Sequence, residues 1–550
     1  MEGAGPTTGP SRVPPPARSR PAALALGAVL VLALGLRLAD FGWGIPLEPF
    51  GGYYHPDEGK VVQGALDFPA DVAARTDLRY PTGYHYAIGL VRVPLAPVVA
   101  TLRPGTDRVL GAYVVGRGLT VLLAVLAVLA TFLFGRRLFG ARAGLVAAAL
   151  LAVSAVHVLH SAFATLDVPT SLLALVALWR ADVVFAAPSR RNVLLLAVAS
   201  GLLIGVKWPG AAILVPGVLA IVLGRRAAGA GWQAALVGAL PDAALYLAVT
   251  AAVVLATTPA ILLRPGQLVE AVTYETGRQG LGEMDRLDPE TWLDVADALQ
   301  VAVGAPLAWL LLAGLALAFV RPTAREILLV ALVGGYVFVL GDRAANRYLI
   351  LPLPVLCLFA GRMVSRLAAD RRAAVRWATV ALAAVAWLAG LRFAATAVAA
   401  RRAPDARMAA AAWLAANAPA GSTVCLDQAN EADPQDWKEP QVSRERFAVV
   451  DCLERPEYVL GIGGGHERLR AAFASPHLRP DYTWDPEAAD FWPDDRPPSP
   501  DRLRFYEDLL VGPDPSRAYD LAVEFTNEKL PTVPFEVSGV RVFRHRSAER

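Results

Sequence analysis

The sequence predicts a mostly α-helical, polytopic membrane protein with a C-terminal extracytoplasmic α/β domain. Of its 550 residues, 55% are hydrophobic and only 18% are charged, whereas a soluble domain carries roughly a quarter charged residues. Apolar runs rich in Ala, Leu and Val recur from Pro21 to about Ala400, each long enough to cross a hydrocarbon core of ~30 Å. From Asp405 to Arg550 the chain turns Pro-, Asp- and Arg-rich and holds no such run. The expected organisation is a tail over 1–20, a membrane unit over 21–400 and a further domain over 401–550. A net charge of +3 is too small to point to nucleic acid.

Residues 1–20 are Pro-rich and basic, which predicts a disordered cytoplasmic tail. The run Pro21 to Leu38 lacks a small-residue cleavage site after it and is longer than a signal core, so it reads as a retained first span. Arg clusters then fall between alternate spans: Arg136, Arg137 and Arg142; Arg190 and Arg191; Arg225 and Arg226; Arg321 and Arg325; Arg366, Arg371, Arg372 and Arg376. By the positive-inside rule they face the cytoplasm, giving about eleven spans with the N-terminus inside and the C-terminal domain outside. Asn192 to Gly224 has basic flanks on both sides and predicts a hairpin turning at Lys207-Trp208-Pro209-Gly210, its short arms tilted or partly buried.

The same alternation brings dispersed polar segments to the outer face. They are the loop Asp40 to Arg108 with His55-Pro56-Asp57-Glu58, the segment His157 to Pro169, the Lys207 turn, and Asp342 to Tyr348. Arg264 to Glu290 is expected to form a helix-containing cap. Polar groups gathered at one membrane face suit a membrane-embedded anionic substrate. For a lipid-linked sugar phosphate, cations must meet the phosphate and a carboxylate must take the acceptor's proton.

Asp57 is the candidate base. Glu58, its neighbour, faces elsewhere on a short helix and is expected to position a partner or the acceptor. Arg117 lies within the apolar run Val109 to Phe134, where a buried cation is costly, so a phosphate or carboxylate partner is expected, or snorkelling to the interface. Lys207 reads as a phosphate ligand or as an interfacial anchor beside Trp208. Arg343 and Arg347 are similar, and Arg347-Tyr348 suits phosphate oxygens best. Arg79 to Tyr86, with Tyr84, is an aromatic re-entry to the membrane surface that serves substrate or an interfacial belt. His157 and His160 at helical spacing, with Asp167, could hydrogen-bond or hold a metal. No cofactor is required, and a divalent metal is left open.

His55-Pro56-Asp57-Glu58, Tyr80-Pro81-Thr82-Gly83-Tyr84 and Arg117 opening the next span resemble the protein O-mannosyltransferase-like glycosyltransferases of the GT-C fold. So do His160 to Pro169, Gly205-Val206-Lys207-Trp208, and Asn346-Arg347-Tyr348 before a Pro-containing span. The resemblance spans the membrane unit. It implies catalytic roles for Asp57 and Glu58, importance for Arg117, a sugar donor linked to polyprenyl phosphate, and inversion. The bacterial lipid A aminoarabinose transferases, relatives of this group, have a Glu-Lys pair where this chain has Arg79-Tyr80, so no metal or phosphate role carries over there. Eukaryotic members have a sugar-binding-like domain between spans that is absent here. The acceptor, whether protein, glycan or lipid, is therefore inherited from neither.

In the C-terminal part a helix is expected over Asp405 to Asn417 and strands over Thr423 to Leu426, Phe447 to Val450, Tyr458 to Gly461 and Val540 to Phe543. Gly461-Ile462-Gly463-Gly464-Gly465 lacks the setting of a nucleotide fingerprint and reads as a turn. Cys425 and Cys452 could pair in an oxidising compartment, and Cys357 reads as a packing residue. A lid or acceptor-selecting role suits this domain. The competing functions are a transporter or flippase of lipid-linked sugars, which should show inverted repeats with broken helices, and a non-catalytic scaffold, which leaves Asp57, Glu58 and Arg117 unexplained.

Overall fold

The computed structural model describes residues 20–45, 55, 57–70, 77–102, 108–278, 289–320, 322–340, 346–402, 405–427, 442–462, 471, 473–475, 479, 499–510, 519–526 and 539–546. The expectations for the N-terminal tail, Pro56, Asp342, Arg343 and Gly463 to Gly465 lie outside these residues.

The first part is a bundle of helices. Those that build the site are α1 (Arg20–Leu38), α2 (Glu58–Asp67), α3 (Gly83–Leu102), α4 (Arg108–Phe139), α5 (Ala141–Ala152), α6 (Ala155–His160), α7 (Asp167–Ala186), α8 (Arg190–Ile204), α9 (Leu214–Ala227) and α10 (Trp232–Thr257). The chain is a multi-pass membrane protein: six helices among the described residues are long and apolar enough to cross a bilayer. They are Arg20–Leu38, Arg108–Phe139, Asp167–Ala186, Trp208–Ala227, Trp232–Thr257 and the helix starting at Ala373. Reaching the expected count of about eleven requires shorter helices such as Ala141–Ala152, Ala305–Phe319 and Leu353–Leu367. At 1.5 Å per residue these fall short of ~30 Å and span only with their flanking turns.

Without a hydrophobic drive between helices in lipid, close backbone approach supplies the packing. A Cβ on Gly135 would lie 2.8 Å from the Cα of Gly144, and one on Gly314 would lie 2.5 Å from the amide nitrogen of Ala360. The first seam locks α4 against α5, and the second locks Ala305–Phe319 against Leu353–Leu367. The hairpin forms as expected: α8 descends to Gly205-Val206-Lys207, and a 3-10 turn over Trp208–Ile213 leads into α9.

Two hydrogen bonds fasten the start of α3 and the segment before it to this turn, and a third fastens that segment to the end of α10. Gly83 N–H donates to the Gly205 carbonyl at 2.9 Å, an approach any side chain at Gly83 would block, since its Cβ would sit 2.5 Å from that oxygen. The Thr82 hydroxyl donates to the Thr257 carbonyl at 2.7 Å, and Trp208 Nε1–H donates to the Leu78 carbonyl at 2.9 Å. Tyr80 and Lys207, far apart in sequence, are thereby carried on one tied assembly.

The C-terminal part holds a five-stranded sheet of order β2-β1-β3-β5-β4, made of β1 (Thr423–Asp427), β2 (Ala448–Val449), β3 (Tyr458–Ile462), β4 (Tyr519–Thr526) and β5 (Gly539–His545). β1 pairs in parallel with β2 and β3, while β5 runs antiparallel between β3 and β4. The preceding helix Ala406–Asn417 starts from Asp405, whose side chain caps it by accepting from Arg407 N–H. Cys425 and Cys452 are joined by a disulfide. β4 and the helix Pro500–Leu510 were not anticipated. The alternation of Leu521, Val523 and Phe525 was the available signal for β4.

Candidate active site

Asp57 sits at the N-cap of α2 but makes no side-chain bond to its own helix. An Asp there ordinarily caps the first turn, a contribution of ~1 kcal/mol. Here both carboxylate oxygens turn away. Oδ2 accepts from Arg347 Nη1 at 2.8 Å and Oδ1 accepts from the Tyr80 hydroxyl at 2.9 Å. The Asp57 N–H donates to His55 Nδ1 at 3.1 Å, which requires that nitrogen to be unprotonated. His55 is fully buried, and burial, reinforced by the nearby His160 and Arg347, holds its pKa well below the usual imidazole value. Tyr80 is pushed well above the phenol value, first by burial and then by the Asp57 charge, so it remains a neutral donor.

Arg347 lies on the 3-10 turn Asn346–Ile350, whose position is set by Tyr336 donating to the Tyr348 carbonyl at 2.9 Å. Burial opposes the Arg347 charge, but Asp57, Tyr348 and Asp167 outweigh it and raise its pKa. The next residue, Tyr348, presents its ring 5.2 Å from the Arg347 guanidinium carbon and 4.9 Å from Lys207 Nζ. Lys207 is paired with Asp167 at 2.5 Å, and His160 Nδ1 stands 4.0 Å from the other Asp167 oxygen. Burial likewise opposes the Lys207 charge, and Asp167 more than restores it. The result is an alternating series, Asp57, Arg347, Tyr348, Lys207, Asp167 and His160, drawn from the loop before α2, the 3-10 turn, the hairpin apex, the start of α7 and the end of α6. Side chains of both ion pairs retain some exposure, 21% and 16% for Arg347 and Asp57.

Glu58 and Arg117 form a different unit. Both side chains are fully buried. Arg117 Nε and Nη2 each donate to Glu58 at 2.7 Å, and Nη1 donates to the carbonyls of Phe41 and Trp43 at 2.8 and 2.6 Å. Glu58 Oε1 also accepts from Ala164 N–H at 2.8 Å. The expectation that Arg117 meets a substrate phosphate is corrected: of the partners it allowed, a carboxylate is the one found, and Arg117 has no exposed surface to offer. Glu58 likewise faces protein and not a site for an acceptor. Tyr84 is corrected too, being 2% exposed with its hydroxyl 2.6 Å from Thr120 Oγ1. The aromatic of that run that reaches the site is Tyr80, which the sequence did not single out from its neighbours.

His157 is withdrawn from any metal-binding pair with His160. Its Nδ1 lies 2.9 Å from Arg37 Nη2 and its Nε2 3.3 Å from Ser171 Oγ. No group of three His, Cys, Asp or Glu side chains placed to share a metal occurs among the described residues. Sequence reasoning also missed Asp40 and Arg401, a buried pair at 2.9 Å. Arg401 ends an apolar helix beside Arg402, where a doublet of that kind reads as an interfacial anchor.

Residues 112–255 match the sequence profile of the dolichyl-phosphate-mannose-protein mannosyltransferase family, which bears out over this stretch the resemblance read from the motifs. No curated protein matches the chain by sequence. Among solved structures, the archaeal oligosaccharyltransferase AglB from Archaeoglobus fulgidus, in complex with an inhibitory peptide and a dolichol-phosphate, is similar at 13% identity and a TM-score of 0.47. That alignment covers 80% of this chain and 69% of that one. ArnT from Cupriavidus metallidurans bound to undecaprenyl phosphate is similar at 16% identity and a TM-score of 0.47, over 83% of this chain and 95% of that one. The S. cerevisiae protein O-mannosyltransferase Pmt1-Pmt2 complex bound to the sugar donor aligns at 16% identity and a TM-score of 0.31, over 44% of this chain and 33% of that one.

Proposed function

We propose that the protein is a membrane glycosyltransferase, a hexosyl- or pentosyltransferase, that moves a sugar from a polyprenyl-phosphate-linked donor to an acceptor on the extracytoplasmic face, with inversion and with Asp57 as base. The observation that carries this reading is the convergence of a carboxylate turned away from its own helix with two cations flanking one tyrosine ring. The match over residues 112–255 supports the same class. The N-terminus is assigned to the cytoplasm and the C-terminal domain to the outside, on the Arg distribution.

In this mechanism the donor phosphate takes up Arg347, Lys207 and the Tyr348 hydroxyl, which neutralise charge as the glycosyl C1–O bond breaks and its electron pair passes to the phosphate. The acceptor O–H or N–H approaches C1 from the opposite side and its proton goes to Asp57. Each carboxylate oxygen can accept more than one hydrogen bond, so the acceptor can add to the bonds from Tyr80 and Arg347. Glu58 and Arg117 hold the backbone of this loop in place. The C-terminal domain serves as a lid or selects the acceptor.

The test is Asp57→Asn in purified protein supplied with a radiolabelled polyprenyl-phosphate sugar. General-base catalysis contributes ~10²–10⁴-fold, so turnover should fall by that order while donor binding survives. Near-normal turnover would remove Asp57 from the mechanism.

A further inference from the structure

We propose that Arg401 is a positioning residue for Asp57, linking the root of the C-terminal domain to the loop that carries the base; this rests on the role given to Asp57 above. Arg401 stands in the last turn of the helix Ala373–Arg402, close in sequence to Asp405, which caps the first helix of the C-terminal domain. It is fully buried. Its Nη1 donates to Asp40 Oδ2 and to the Leu159 carbonyl, each at 2.9 Å. Its guanidinium carbon lies 4.7 Å from the centre of the Phe163 ring and 5.1 Å from that of Trp43.

Phe163 is where the path turns toward the base. The same ring takes the Arg117 guanidinium at 5.4 Å and meets the His55 ring edge-on at 4.6 Å. His55 accepts the N–H of Asp57. The residue after Phe163, Ala164, donates to Glu58, and the carbonyl of Trp43 accepts from Arg117. Asp57 is thus held from its N–H and from its following neighbour by groups that both rest on Phe163, and Phe163 rests on Arg401.

A buried ion pair adds little net stability, because desolvation offsets its attraction. A guanidinium joined to a carboxylate, a carbonyl and two rings instead fixes orientation, as its planar fork permits. Movement at the root of the C-terminal domain then reaches the base through contiguous contacts, and direct coupling evidence separates such a linkage from mere proximity.

Full-length protein in lipid nanodiscs provides that evidence through amide hydrogen exchange. Arg401→Met and Asp40→Asn should speed exchange about tenfold in Glu58–Asp67 and in residues 161–166, with Trp232–Thr257 unchanged. Arg401→Lys should give a smaller change, and Arg225→Met, which breaks the separate pair with Asp242, should give none at these segments. If Arg401→Met does not fold, Arg401→Lys and Phe163→Leu carry the same comparison. In the transfer assay the affected variants should lose kcat with donor KM held within about twofold. Unchanged exchange over Glu58–Asp67 in folded variants, or a uniform rise along the chain, would overturn the linkage. Exchange is independent of turnover, so wild-type activity in Asp57→Asn would remove the base while leaving the exchange result to judge the linkage.

Discussion

Replacing Arg117 by Met should damage the fold before it damages donor binding. The guanidinium supplies both bonds to Glu58 and the bonds to the Phe41 and Trp43 carbonyls. Its loss leaves a fully buried carboxylate whose remaining donor here is Ala164 N–H. Breaking a buried pair from one side costs ~3–5 kcal/mol, and each carbonyl stranded without a donor adds ~1–3 kcal/mol. A loss on the order of 5 kcal/mol or more follows, comparable to the whole stability of many domains. Lys at this position keeps the charge but not the fork, and should lose about 2 kcal/mol. The double variant Glu58→Gln with Arg117→Met removes both charges while leaving an amide oxygen for Ala164, and should recover the ion-pair part of the loss, ~3–5 kcal/mol, while the Phe41 and Trp43 carbonyls stay without their Arg117 donor. Unfolding free energies in mixed micelles, with donor binding measured on the folded fraction, distinguish the cases. An Arg117→Met protein of wild-type stability whose donor affinity falls tenfold or more would refute this reasoning and return Arg117 to the phosphate.

Arg347→Ala should weaken donor binding by ~10- to 100-fold, the equivalent of a charge-assisted bond of ~1.5–3 kcal/mol, and Arg347→Lys should restore only part of it; unchanged binding by titration with polyprenyl phosphate would remove Arg347 from the phosphate site. His55 gives a pH signature. Its folded pKa is depressed, so between that value and about 6.5 the unfolded chain binds the extra proton and stability falls as pH drops below about 6.5. His55→Asn keeps an acceptor for the Asp57 N–H and cannot titrate, so the stability slope between pH 7.5 and 5.5 should flatten; an unchanged slope would show that His55 does not contribute. For topology, a Cys label at Ala228 should react only from the cytoplasm and one at Glu270 only from outside, and labelling of Glu270 from inside alone would reverse the orientation.

The helical membrane unit was legible because an apolar run of membrane length has few other physical meanings. The strands of the C-terminal sheet at Thr423, Tyr458 and Val540 were legible from short β-branched and aromatic runs between turn residues. Asp57 and Arg347 were also singled out, since charges at a membrane face are costly enough to need a reason. Their direct pairing was not legible, because nothing local relates residues 57 and 347. Arg117 shows the complementary limit. Burial of a cation predicts a partner of opposite charge, but phosphate and carboxylate satisfy that demand equally, and only the packing of α2 against α4 decides. Tyr80 and Tyr84 share one aromatic run, and their separation into a site donor and a packing residue depends on the tie between Gly83 and Gly205.

The ion pairs divide by solvent access, and that division assigns their roles better than residue type does. Arg117–Glu58 and Arg401–Asp40 are closed, with every side chain at zero exposure, and exchanging such a partner for a substrate group would strand a charge where water cannot reach it. Arg347–Asp57 and Lys207–Asp167 keep some exposure, which is what the proposed mechanism needs for an incoming phosphate to share a cation while the released carboxylate finds water or an acceptor. Asp57 and Glu58 are adjacent in sequence yet fall on opposite sides of this division. A helix turns 100° per residue, which directs Glu58 into the protein toward Arg117 and leaves Asp57 at the accessible pair. One carboxylate thus fixes the loop and its neighbour stays available for chemistry, an arrangement that neither residue could provide alone.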